Sequence, residues 1–483
     1  MSGDFEGGAL RRGEAEAPRE TVVPRDETAP HAGGHGRPGR LALPVADPQS
    51  LRRLRRMPLI SPRLWKRRLV FWVGAVMVSL VAIVFARAAD WAGGICHQIA
   101  AWQPLSLLVI SPAALAFSLW LTRVAFPGAQ GSGIPQTMAA LHLSDQRLVD
   151  RVLSLRVAIG KIMLTLVGLM AGASIGREGP TVQISAAMMH AMGKLMRLPR
   201  QDLARALVLA GGAAGISAAF NTPLAGIMFA IEELSHSFES RTSGTVMTAV
   251  IISGITTLAL VGSYTYFGVT SAVLNFGAGW IAVPLCAVCG GLAGGAFSWC
   301  LVQAARGLPG RSGRFVLRHP IVFAALCGLG VAVIGLISGG ATYGTGYAQA
   351  RGVVEGTAHM APLFFLLKLA STTISYISGI PGGIFAPSLA VGAGLGQLLA
   401  RLIPHAPLGA VVLCGMVAYF SGVVQAPITA AIIVMEMTDN QQMTIPLLAT
   451  SMIAFGASRL ICRRPLYGTL AQRFLIAMER GHG

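Results

Sequence analysis

The chain has 483 residues, is 53% hydrophobic and only 12% charged, and has a mean hydropathy of +0.63 with a net charge of +18. Soluble domains carry about 25% charged residues, so this composition excludes a water-soluble globular protein and describes a multi-span helical membrane protein. The basic excess does not describe a nucleic-acid binder. It gathers beside apolar segments, at 51–68 (LRRLRRMPLISPRLWKRR) and at Arg459, Arg463, Arg464 and Arg473, where the positive-inside rule places cytoplasmic residues and anionic lipid headgroups lie.

In chain order, residues 1–66 are rich in Gly, Pro, Arg and Glu without apolar periodicity, and are expected to form a disordered, basic cytoplasmic tail. No apolar signal-peptide region opens the chain. Residues 67–475 are expected to be the transmembrane domain, with 476–483 as a short cytoplasmic tail. Runs such as Leu69–Ala86, Ala206–Phe220 and Val246–Gly262 approach or reach the length needed to span, about 20 residues. Several apolar segments are interrupted at depth: GSGIPQ (131–136), GREGPT (176–181), AFNTPLAG (219–226), PGGIFAPS (381–388) and VVQAPITA (423–430). Broken helices survive in a membrane only where the freed backbone is buried in protein or lines a polar cavity.

These interruptions repeat. GREGPT and GIFAPS share the form G-x-x-x-P-[ST], and in each half a second proline follows, Pro223 or Pro427, with a glutamate nine residues later, Glu232 or Glu436. Two halves, about 67–265 and 275–475, with matching broken segments are the signature of a transporter-type fold. A helix beginning at GREGP or GIFAP exposes backbone N–H groups at the positive end of its dipole, and several such ends aimed at one point bind an anion without a full positive charge. Ser132 and Tyr467 can add neutral hydroxyl donors, although Tyr467 also suits a membrane-interface position. Glu178 is a carboxylate at such a helix start, where a charge is expensive. It can take the place of a small anion, then be displaced and protonated; its alternatives are an ion pair with Arg177 or a capping role. Glu232 and Glu233 end an apolar helix and read either as its solvated end or as a proton acceptor on the cytoplasmic side. Cys286-Ala-Val-Cys289 matches CxxC but lies inside a span with no second pair or histidines nearby, and the histidines show no metal-ligand spacing, so neither a metal nor another cofactor is expected.

GSGIP (131–135), GREGP (176–180), GIFAP (383–387) and the tyrosine of PLY (465–467) resemble the signature segments of the CLC chloride channels and proton-coupled chloride transporters, over roughly residues 68–475. The resemblance implies an all-α integral membrane protein with the CLC fold, two inverted-topology halves of broken, tilted helices. It implies a homodimer with one anion path per subunit, in the plasma or inner membrane with both termini cytoplasmic. It implies that Ser132 and Tyr467 coordinate a central chloride by their hydroxyls and Ile384 and Phe385 by backbone N–H groups, with the backbone of Arg177 and Gly179 lining the outer path. Glu178 would be the gating glutamate and Glu233 the internal proton glutamate, with Glu232 beside it. The expected function is chloride/proton antiport, with a passive voltage- or pH-gated chloride channel as the alternative; an enzyme is not expected.

Ser132 resembles the chloride-preferring type rather than nitrate-preferring relatives with Pro there, while the glutamate of GREGP and Tyr467 argue against the fluoride-exporting branch. No cytoplasmic CBS pair is expected after Tyr467. The chain departs from some relatives in carrying Gln136 and Met138 where they have acids after GSGIP, which leaves Lys161, in an apolar run, without an evident partner. An acid–base membrane enzyme and a cation-coupled carrier remain competing classes; chemical turnover or dependence on Na⁺ would mark them.

Overall fold

The computed structural model describes residues 62–143, 145–197, 201–235, 240–262, 265–307 and 309–480. Residues 1–61 of the tail expected over 1–66 and the final residues 481–483 lie outside these. The first half contains α1 (Pro62–Trp102), α2 (Leu107–Val124), α3 (Ile134–His142), α4 (Gln146–Val152), α5 (Leu155–Met170), α6 (Glu178–Leu195), α7 (Gln201–Phe220), α8 (Pro223–Phe229) with a π-helical turn over Ala230–Ser235, and α9 (Ser240–Val261). The second contains α10 (Ala282–Arg306), α11 (Gly310–Arg318), α12 (Pro320–Ile337), α13 (Tyr347–Val354), α14 (Phe364–Ile377), α15 (Phe385–Ala400), α16 (Leu408–Val424), α17 (Pro427–Thr438) and α18 (Thr444–Ile461), and α19 (Leu466–Arg480) closes the chain. From α5 to α9 and from α14 to α18 the order of elements is the same, so the two halves repeat one pattern of helices.

Helix α1 begins at Pro62, within the segment expected as tail, and α19 runs through residues 476–480. Eight helical stretches among the described residues are long and apolar enough to cross a bilayer. Helix α1 has 41 residues, about 60 Å at 1.5 Å per residue, which exceeds a hydrocarbon core of about 30 Å and requires tilt or extension beyond it.

The helix starts follow from local chemistry. Pro135, Pro223, Pro320 and Pro427 occupy first-turn positions, where the missing N–H is no loss. Ser154 and Asp145 cap α5 and α4 by accepting from Val157 N and Arg147 N. Helix α16 is buried from Ala410 to Val424, and the sequence around it is small-residue rich because backbones touch. A Cβ on Gly291 would lie 2.4 Å from the Ala454 carbonyl oxygen, and one on Gly392 would lie 2.6 Å from that of Gly415. Close backbone approach through small residues is how helices associate where lipid removes the hydrophobic driving force.

A test of that packing is direct. Gly291→Val is expected to destabilise the detergent-solubilised protein by about 1–3 kcal/mol, the usual cost of overpacking, because the obstruction is backbone. Gly94→Val, where nothing lies within 4 Å of an added Cβ, should leave the thermal melt unchanged. Equal melts for both variants would contradict the packing argument.

Candidate functional site

The broken segments of the two halves are tied to one another by backbone hydrogen bonds. Gly131 N donates to Ile380 O (3.2 Å) and Gly382 N to Gly131 O (3.1 Å), while Gly176 and Gly383 exchange a reciprocal pair at 2.7 Å each. The glycines are a steric requirement. A Cβ on Gly179 would fall 2.3 Å from Ser132 Oγ, and one on Gly383 3.0 Å from Gly179 N. Gly133, at φ 99°, supplies the left-handed turn into α3. The starts of α3, α6 and α15 therefore meet at one point, bringing the unpaired first-turn N–H groups of α6 and α15 to the same place.

The Glu178 carboxylate occupies that point. It is 0% exposed, its Oε1 accepts from the Tyr266 hydroxyl at 3.2 Å, and the N–H groups of Glu178 itself and of Ala386 bear on it. A Cβ on Gly176 would sit 2.3 Å from Oε2, so only glycine leaves room for the carboxylate here. An ionised side chain in a buried site must be hydrogen-bonded or repaid by local dipoles, and the first turn of α15 offers both.

Ser132 and Tyr467, 1% and 0% exposed, are both inside. Tyr467 is thus no interfacial residue. Neither hydroxyl has a hydrogen-bond partner among the described residues, which is unusual for buried polar atoms. Ser132, Tyr376, Glu233 and Glu178 are the polar groups that bear on the Tyr467 hydroxyl. Ile384 and Phe385 open α15, and the Phe385 ring packs against Phe220, Phe229, Phe420 and Tyr467. Phe220 in turn meets Tyr266 edge-on at 5.7 Å, so an aromatic series links Tyr467 to the tyrosine that holds Glu178.

Arg177 makes a different pairing from the one weighed on sequence. Its guanidinium donates to Asp90 (2.8 Å) and the Ala86 carbonyl of α1 and lies over the Tyr266 ring at 5.4 Å. The hydrogen-bonded carboxylate partner of Arg177 is therefore Asp90, not Glu178. Asp90 is solvent-exposed, and a cavity of about 300 Å³ lined by Arg87, Asp90, Arg177 and Asn221 opens there. Only the backbone of Arg177 remains available to the path.

The glutamate pair divides. Adjacent helical residues point about 100° apart, and on the π-helical turn Glu233 faces inward while Glu232 faces α17. Glu232 accepts from Ile428 N (3.2 Å), Thr429 N (2.6 Å) and the Thr429 hydroxyl (2.7 Å). Glu436 does the same for α8, accepting from Leu224 N (3.1 Å) and Ala225 N (2.7 Å). Each half thus caps a helix of the other, which is the physical reason both glutamates stand nine residues after a proline. Glu232, expected beside Glu233 in proton transfer, caps the start of α17. Glu233 is 3% exposed, with Oε1 lacking a partner.

The structure brings together Ser132, Glu178, Gly179, Ile384, Phe385 and Tyr467. Tyr266 and Asp90 were not legible beforehand. Asp90 carried a weak signal as a carboxylate within the long apolar α1; Tyr266, in the connection between halves, carried none.

A family model described as voltage gated chloride channel matches residues 114–459. Among solved structures, a slow cyanobacterial Cl⁻/H⁺ antiporter is 25% identical with a TM-score of 0.74, the match covering 86% of this chain and 99% of that one. A CLC-type fluoride/proton antiporter shares 22% identity at a TM-score of 0.71, over 83% and 98% of the two chains. A eukaryotic CLC transporter shares 19% identity at a TM-score of 0.70, over 85% and 74%. The last two likenesses concern the fold.

Proposed function

The chain belongs to the family of voltage gated chloride channels, and from that membership we propose that it exchanges chloride for protons across a plasma or inner membrane. The observation that carries the reading is the buried Glu178 carboxylate, held where the starts of α6 and α15 meet. It stands where a permeating anion is best stabilised, so the two compete.

Chloride is held by the hydroxyls of Ser132 and Tyr467 and the N–H groups of Ile384 and Phe385. Partial charges of this kind bind an anion while still allowing release, which a fixed cation does less well. An arriving chloride displaces Glu178, which takes up a proton as it leaves and releases it on return. Glu233 supplies that proton from the cytoplasmic side, and the Tyr467 hydroxyl, within electrostatic reach of both glutamates, lies between the two tasks. Chloride rather than fluoride or nitrate is the expected cargo, given Ser132, Glu178 and Tyr467 together. Ions cross unchanged, so the protein is not an enzyme.

The basic clusters before α1 and after α18 put both termini in the cytoplasm. Outward apolar residues on α9 and α18, including Ile251, Ile255, Ile445 and Met452, offer a face for a second copy, giving a dimer with one path per subunit. Purified protein in chloride-loaded liposomes, diluted into low chloride, tests the reading. Outward chloride should drive protons inward and alkalinise the medium until an uncoupler is added. Chloride efflux without any pH change would make the protein a passive channel, and efflux of neither ion would refute chloride transport.

A further inference from the structure

Two lysines lie wholly inside the protein, Lys161 on α5 and Lys368 on α14, each 0% exposed. They occupy the same register in the two halves, fifteen residues before Gly176 of GREGP and fifteen before Gly383 of GIFAP. Neither has a carboxylate in an ion pair among the described residues. Each instead donates to the carbonyl of the first glycine in a Gly-[Ser/Thr]-Gly turn. Lys161 Nζ reaches Gly131 O at 3.0 Å, and Lys368 Nζ reaches Gly344 O at 2.7 Å and Thr342 O at 2.9 Å.

The two turns match in detail. Gly131 and Gly344 have φ of 61° and 63°, Gly133 and Gly346 have 99° and 78°, and each second glycine leads straight into a short helix, α3 or α13. A Cβ on Gly346 would lie 2.8 Å from Lys368 Cε, so turn and lysine are fitted to each other. A core position filled for packing alone would take Met or Leu, because a buried ammonium is costly unless its donors are used. Finding the same costly device twice, on the same type of turn, calls for a task at each.

The tasks differ because the turns lead to different parts of the site. The Gly131 carbonyl also accepts from Gly382 N, so Lys161 fastens the loop carrying Ser132 to the turn that delivers Ile384 and Phe385. The turn held by Lys368 leads to Tyr347, whose ring meets Tyr266 at 4.7 Å, and Tyr266 donates to Glu178. We propose that Lys161 and Lys368 are a pseudo-symmetric pair of positioning residues, Lys161 setting the anion-binding Ser132 and Lys368 setting the tyrosines behind Glu178. This assignment rests on the chloride/proton reading above.

The test uses Lys161→Met and Lys368→Met, which keep length and remove the amine donor, in liposome flux and in amide hydrogen exchange. Lys161→Met should raise the chloride concentration for half-maximal flux about tenfold, the scale of one positioned hydrogen bond, and weaken preference for chloride over nitrate. Lys368→Met should leave that concentration unchanged but reduce the protons moved per chloride. Exchange should quicken at 131–134 only in the first variant and at 344–347 only in the second. Identical effects of the two variants on flux, or exchange unchanged at both turns, would overturn the assignment. If the unaltered protein moves no chloride, the transport reading falls, and the exchange measurement still judges the positioning. Should Lys161→Met fail to assemble, Lys161→Arg retains a donor for Gly131, and a folded Lys161→Arg that loses chloride preference counts against the proposal.

Discussion

Replacing Glu178 with alanine is expected to uncouple the two ions, so that chloride crosses without protons and at a rate that no longer responds to pH. On the proposed reading the side chain competes with chloride for the first turn of α15, and it leaves that place as a neutral acid. Acidification should therefore speed chloride flux in the unaltered protein, because it favours the form of Glu178 that vacates the path. Alanine removes both the competitor and the proton carrier. Proton movement should drop by about 100-fold or more, the scale on which a positioned proton-transfer group acts, while chloride flux persists. Glu178→Gln should share the loss of coupling, since a glutamine carries no exchangeable acid proton. The measurement is paired recording of chloride and pH in liposomes across pH 4.5 to 7.5, an interval of about three units around and above ordinary carboxylate values. Glu178→Ala that still drives protons with a chloride gradient would move the gate elsewhere. Tyr266→Phe separates the roles: it removes the hydroxyl that donates to Oε1 but leaves the acid, so the protons moved per chloride should fall, as in Lys368→Met, without the complete loss expected of Glu178→Ala.

The membrane class, the repeat and most of the site were legible in the sequence because each has a local cause. Glycine and proline mark broken helices wherever they fall, and a carboxylate beside them stands out against apolar surroundings. What could not be read depended on contacts across the fold. Arg177 and Glu178 are neighbours in the chain, yet the guanidinium reaches Asp90 and Ala86 on α1 while the carboxylate turns to Tyr266 and the start of α15. Lys161 had no evident partner because its partner is a backbone carbonyl, which every residue has and no sequence pattern marks. The Pro-plus-nine repeat was visible, but its cause, reciprocal capping between halves by Glu232 and Glu436, requires both helices in place. The GTGY turn at 344–347 carries Thr where the first half has Ser, so sequence identity does not mark it as the counterpart of GSGI.

Replacing Glu233 with glutamine is expected to abolish proton movement and spare chloride. Glu233 lies on the π-helical turn after α8, 3% exposed, and its Oε1 has no partner among the described residues. A purely structural glutamate at such a site would be hydrogen-bonded, as Glu232 is to Ile428 and Thr429; leaving a buried carboxyl oxygen unpaired costs stability and needs a compensating use. Under the proposed function, proton carriage is that use. Glu233 also lies within electrostatic reach of Tyr467, one of the proposed chloride ligands. Glutamine keeps size and polarity but carries no transferable acid proton, so proton flux should fall by about 100-fold or more, with chloride flux changed by less than about threefold on the same argument. Glu232→Gln supplies the contrast. It weakens a cap on α17, so it should lower the melting temperature, with a loss of about 1 kcal/mol, and leave the protons moved per chloride unchanged. If instead Glu232→Gln uncouples the ions and Glu233→Gln does not, the roles of the pair are reversed, and the capping geometry would have to open during the transport cycle.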